Sequence, residues 1–194
     1  DAPIHVLFVS VPDRPSNGGS TRPTVDGANG SGLFAAHPRV LAVAGRGSRL
    51  TIVESYIGVN EGRYFTNSVT EVVVGEQGSV DHYKVQRESE ASYHVATIQA
   101  SLGRSSRFSG HSIGFGGALV RNDVVVTLGG EGGDCALHGL YVADGSRLVD
   151  NHTAIDHATP HCDSREVYKG VLAGRARAVF NGKIIVRPDA QKTD

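Results

Sequence analysis

Between Val149 and Glu166 the sequence runs VDNHTAIDHATPHCDSRE, which sets His152, His157, His161 and Cys162 close together along the chain. Imidazole nitrogen and thiolate sulfur are ligands that zinc and iron take, so metal binding is the first chemistry to weigh. Local spacing argues against it. On a β-strand successive side chains point to opposite faces, so His152 opposes His157 and His161 opposes Cys162. His157 and His161 share parity, yet at ~3.3 Å per residue their Cα atoms lie roughly 13 Å apart, and ligand nitrogens must converge to about 2 Å from zinc. Thr159-Pro160 also interrupts a strand between them. A metal here needs ligands from adjacent strands, a loop or a second chain; the competing reading is polar residues satisfying edge and turn backbone. The same stretch carries Asp150, Asp156, Asp163 and Glu166. They would serve a carbohydrate-active enzyme only if folding brought two of them to glycosidase separation.

Other chemical motifs are thin. GFGG at 114–117 and GGEGG at 129–133 precede no Walker-type GK[ST] and no helix start, so they read as tight turns rather than phosphate cradles. GxSxG is absent, and neither cysteine sits in a protease signature. Cys135 begins a strand-like run and reads as a buried small hydrophobe. With Cys162 the only other cysteine, 27 residues away, no disulfide framework or four-cysteine zinc site can be built, which fits a reducing compartment.

The elements that must hold these residues are strands. Glycine is abundant, at 25 of 194 residues, and helical periodicity is nearly absent; apolar residues alternate or run in short Val- and Ile-rich blocks. IHVLFVSV at 4–11 is strand-like, and the Pro-, Gly-, Ser- and Asn-rich stretch 12–32 reads as a flexible surface insertion in a single domain spanning 1–194. From His37 onward β-rich runs alternate with turns whose glycines fall at 45, 75, 103, 129 and 174. The last interval is about two of the earlier ones. Such a repeat without helical crossovers is either a sandwich of hairpins or a stack of parallel β-helix rungs. Leu50, Ile52 and Tyr56 share one face of their strand, and Val124, Val126 and Leu128 one face of theirs.

Nineteen basic against twenty acidic residues leave no cationic block for nucleic acid, and no apolar run approaches the length of a membrane helix. The opening lacks the features of a signal peptide. Together these predict a soluble, unexported protein with neither nucleic acid nor membrane as partner. The sequence begins at Asp1 and contains no Met, which suggests a fragment.

The run from Val149 to Asp194, with its SRE, YKG and FNGKI segments, resembles the SufB/SufD family of iron-sulfur cluster assembly proteins. It lies on the SufD side, in its cyanobacterial and plastid form. HPRVLAVAGRGSRLTIVESY, YFTNSVTEVVVGEQGSVDHYKVQRES and HSIGFGGALVRNDV resemble the same family in the same order. The resemblance implies an all-β, right-handed parallel β-helix without the family's flanking helical regions. It implies a non-catalytic scaffold subunit that pairs with SufB, joins the ABC-type ATPase SufC and assists iron entry, with iron or a cluster handled by the whole complex. The family's SufC-docking segment and its interfacial cysteine and histidine would follow Asp194. Arg165, Glu166, Tyr168, Lys183 and Arg187 are therefore the interface candidates within the chain, with self-association a further outcome of an open solenoid end. No catalytic residue or bound cofactor is expected. The expected location is the cytoplasm, or the plastid stroma in a photosynthetic eukaryote.

Overall fold

Inward side chains that alternate with outward ones can be buried only if another strand pair stacks above and below, and this chain meets that demand by coiling. The computed structural model describes residues 2–11 and 34–193. Its strands are β1 (Ile4–Ser10), β2 (Phe34–Ala36), β3 (Arg39–Ala44), β4 (Arg49–Gly58), β5 (Tyr64–Val74), β6 (Ser79–Arg87) and β7 (Tyr93–Leu102). They continue with β8 (Arg107–Gly114), β9 (Leu119–Leu128), β10 (Asp134–Ala143), β11 (Leu148–His157), β12 (Asp163–Leu172) and β13 (Arg177–Val186). The expected insertion at 12–32 lies outside the described residues.

All pairings are parallel; from β3 onward each strand pairs with the next but one, while β1 pairs with β4 and β2 with β5. One sheet, sheet A, has the order β1-β4-β6-β8-β10-β12; the other, sheet B, runs β13-β11-β9-β7-β5-β2, with β3 also on β5. Five rungs follow, β4/β5 to β12/β13, each crossing from sheet A to sheet B and back. The hairpin alternative is therefore excluded and the β-helix holds. Short turns close each rung without making hairpins, because the strand after a turn belongs to the opposite sheet.

Turn chemistry explains the irregular glycine series. Passing from sheet B to sheet A, each turn places one residue in the left-handed region: Gly47, Gln77, Ser105, Gly132 and His161. These positions stack, the amide of Gly47 donating to Glu76 O at 2.9 Å, Gln77 to Arg104 O at 2.8 Å and Ser105 to Glu131 O at 2.9 Å. The turn missing from the glycine spacing is thus ATPHC, where His161 takes φ 59° without being glycine. Gly174 belongs to the other series of turns, in which its partner is Gly145.

Inside, the core divides along the strands. The apolar part is stacked in register: Val72, Ala100, Val126 and Ile155 on sheet B, and Val80, Phe108 and Cys135 on sheet A. Burial of these columns supplies the hydrophobic stabilisation. The other part of the interior is polar.

Candidate functional site

The predicted metal ligands separate. β11 alternates regularly, so Asn151, Thr153, Ile155 and His157 face the interior while Asp150, His152 and Asp156 face outward. His152 Nε2 lies 2.9 Å from Asp150 Oδ1 on the outer face of sheet B. His157 is buried, with Nε2 3.0 Å from Ser164 Oγ, and burial lowers its pKa. His161 is exposed at the turn, 3.9 Å from Glu131. Cys162 is buried, its Sγ 3.6 Å from the carbonyls of Gly130 and Pro160. His157 and His161 share parity in sequence but end up on opposite sides of the wall, because the strand stops at His157. Among the described residues no three His, Cys, Asp or Glu side chains are grouped to hold a metal ion. Cys135 behaves as a buried hydrophobe, its thiol pushed up to about 12, chiefly by burial.

The carboxylates disperse as well. Asp150 receives Arg121 Nη1 at 2.8 Å, and Asp156 receives Arg187 through two bonds of 3.0 and 2.6 Å. Six residues apart on one strand face, they are separated by about 20 Å, far beyond glycosidase spacing. Asp163 opens β12 on the exposed face of sheet A, and Glu166 points into the interior. The carbohydrate-active alternative loses its acid pair.

Of the interface candidates, Arg165 and Lys183 are exposed and Arg187 is tied to Asp156. Glu166 and Tyr168 are inward-facing on β12, in register with Leu137 and Gly139. The Tyr168 ring occupies the space that a Cβ on Gly139 would need, 2.0 Å away, and packs 4.8 Å from the Phe180 ring. Burial raises the pKa of Glu166 and of Tyr168.

The largest concentration of chemistry lies elsewhere, inside the first rungs. Glu54, wholly buried, accepts from Tyr56 Oη at 2.7 Å and from Thr70 Oγ1 at 2.9 and 3.0 Å, with His82 Nε2 2.9 Å away. Burial alone would raise its pKa, but these partners, His82 foremost, outweigh that and hold it below the usual carboxylate range. Glu88 repeats the arrangement: Thr66 donates at 2.6 Å, Gln86 at 3.1 Å, and His94 Nδ1 lies 2.6 Å away. The His94 contact is close without forming a hydrogen bond. Burial, then the Lys84 charge, pushes His94 down to about 4 against the pull of Glu88. At the centre Lys84 Nζ donates to Asn122 Oδ1 at 2.6 Å and sits 5.7 Å from the Tyr56 ring centroid. Burial brings it down to about 8, with Glu88 and Glu54 resisting. Asn122 Nδ2 passes the chain of bonds to Asn151 Oδ1 at 2.9 Å. Chemically, this network holds buried charges on hydrogen-bond partners from neighbouring rungs and presents no nucleophile to solvent.

Periodicity could not have revealed this network. On β6 the inward set is Val80, His82, Lys84 and Gln86, and the outward set includes Asp81, Tyr83, Val85 and Arg87. Both sets mix polar and apolar residues, so alternation does not say which one is inside.

Comparison with known proteins is consistent with this architecture. The family model described as SUF system FeS cluster assembly, SufBD core domain, matches residues 25–194. An iron-sulfur cluster assembly SufBD family protein of Synechocystis is 30% identical over 201 residues, covering 100% of this chain and 41% of its own length. The iron-sulfur cluster assembly protein SufD of Escherichia coli is 29% identical, with 87% of this chain and 40% of that protein aligned. A chloroplastic protein of Arabidopsis thaliana, ABCI7, is 31% identical over 84% of this chain and 34% of its own. The chain thus spans about two fifths or less of these relatives.

Proposed function

Because the chain belongs to the SufBD family of iron-sulfur cluster assembly proteins, we propose that it forms the β-helical part of a SufD-type, non-catalytic scaffold subunit. In this reading it pairs with a SufB-type subunit, works with a SufC-type ATPase and assists iron delivery in the cytosol or plastid stroma. The observation that supports it is the last rung. Phe180, Ile184 and Val186 stand in register with the inward residues Asn151, Ile155 and His157 of β11, yet remain 44%, 61% and 50% exposed. β12 and β13 each pair on one side only among the described residues. An apolar rung with free backbone donors and acceptors is suited to accept further strands, whether of the same protein or of a partner. Arg165 and Lys183 flank it on the outer faces, and Glu166 and Tyr168 line its mouth.

The test is co-purification of the chain with the SufB-type subunit of its own organism, wild type against Arg165→Glu with Lys183→Glu. Both side chains are exposed, so folding is preserved. Loss of capture is the expected outcome, and unchanged capture would overturn the assignment of this surface.

A further inference from the structure

The outer face of sheet A differs from the rest of the solenoid wall. Strand register aligns its solvent-facing residues into columns that cross β1, β4, β6, β8, β10 and β12. Two neighbouring columns are mainly apolar. Leu7 and Val9, Leu140 and Val142, and Val171 in the last strand are each 36% exposed or more. Five inter-strand steps of ~4.8 Å make this stripe about 24 Å long, the length of roughly sixteen helical residues. Exposed apolar side chains on β1, β10 and β12, joined by half-buried Ile57, Val85 and Ile113 on the strands between, mark a contact region.

Charge is segregated onto the same face. Arg49, Arg87, Arg107, Arg165 and Lys169 point outward from sheet A against Asp81, Asp134 and Asp163, five minus three, giving +2. Sheet B carries Arg39, Arg121, Arg177 and Lys183 against Glu71, Asp123, Asp150 and Asp156, four minus four, giving zero. None of the five sheet A cations is in an ion pair among the described residues, whereas Arg121 on sheet B holds both Asp123 and Asp150. The whole chain is −1, so this excess is local.

Beside the stripe, Tyr83, His111 and His138 stack with ring centroids 4.4 and 4.9 Å apart and interplanar angles of 7° and 19°. Parallel rings send their nitrogen lone pairs in parallel, so the ladder is a flat wall rather than a ligand set.

We infer that the outer face of sheet A is a docking surface for an amphipathic α-helix of a partner protein. The helix lies across the strands with its apolar side on the stripe and acidic residues along its flanks. The helix buries the stripe, and its acids meet Arg87 and Lys169, the unpaired cations that stand in those two columns, so that apolar contact supplies affinity and charge sets orientation.

The test uses the purified chain and a synthetic sixteen-residue Leu/Glu amphipathic peptide. Controls are the same peptide with Lys in place of Glu, and vesicles containing phosphatidylglycerol. Titration followed by amide NMR should place the Leu/Glu footprint along the stripe on the strands of sheet A, from β1 to β12. Leu140→Ser with Val171→Ser, both at exposed positions, should weaken binding about tenfold or more. Arg87→Glu with Lys169→Glu should shift preference toward the Lys peptide. Equal binding of both peptides, a footprint on sheet B, binding to vesicles but not to peptide, or no binding of the Leu/Glu peptide would each overturn the inference.

Discussion

Lys84 offers the sharpest check on the buried network, because its ionisation is tied to folding. In the unfolded chain it ionises near 10.5, and in the fold burial brings it to about 8. Below about pH 8 both states hold the proton and the fold bears the full penalty, about 3 kcal/mol for a displacement of this size. Between the two values the unfolded chain binds more protons than the native one, so stability rises with pH. Linkage puts the gain at about 2 kcal/mol between pH 8 and pH 10. Cys135, Tyr56 and Tyr168 act in the opposite sense, since burial raises each of them, so across this range they offset the lysine's gain in the total profile, and that gain is read as the difference between wild type and Lys84→Met. Urea unfolding at pH 8, 9 and 10, followed by far-UV circular dichroism because the chain has no Trp, measures the slope directly. The stability of wild type minus that of Lys84→Met should rise by about 2 kcal/mol from pH 8 to pH 10, whether or not the variant is more stable overall. A difference that stays constant over that range would refute the account.

Two backbone predictions address the turns. His161→Gly should stabilise the fold by roughly 1 kcal/mol by relieving a left-handed residue, measured as a shift in the urea midpoint; a loss would show that the imidazole does more than cap a turn. Gly130→Ala should destabilise by about 1–3 kcal/mol, because its Cβ would fall 2.1 Å from Arg104 N and 2.3 Å from Gly103 C, backbone atoms that cannot step aside. Gly45→Ala, whose Cβ meets only Ser48 Oγ at 3.6 Å, is the matched control.

The parts of the fold legible in sequence were those with a local cause. Val and Ile alternation marked the strands, glycine turns marked the rungs, and the parity of β11 already separated His152 from His157. Rung stacking was not decided by periodicity, because a strand followed by a short turn looks the same whether its neighbour pairs within the rung or beyond it. The ATPHC turn was hidden because His161 adopts the conformation that glycine marks elsewhere. The buried network was hidden for a different reason: its central links join residues 28 to 38 apart, such as Glu54 with His82 and Lys84 with Asn122. Only the stacking of rungs makes them neighbours.

That long separation gives the network a structural consequence. A slip of two residues between rungs would keep every inward apolar side chain inward, so columns of valine specify register weakly. The same slip would carry His82 and Lys84 past Glu54, leaving buried charges unpaired at a cost of several kcal/mol. Polar pairs across rungs therefore set register where hydrophobic burial does not. Glu54→Leu alone should destabilise by roughly 3 kcal/mol, since Tyr56, Thr70 and His82 all lose their acceptor. Replacing the group together, Glu54→Leu, Tyr56→Phe, Thr70→Val and His82→Leu, should recover most of that loss because no orphaned polar atom remains in the group. Native-state amide exchange on β4 and β6 should nevertheless become faster or heterogeneous as register loosens. If the fourfold variant is no more stable than Glu54→Leu, the loss comes from packing rather than from unpaired polar groups. If its exchange matches the wild type, register is held by the apolar columns after all.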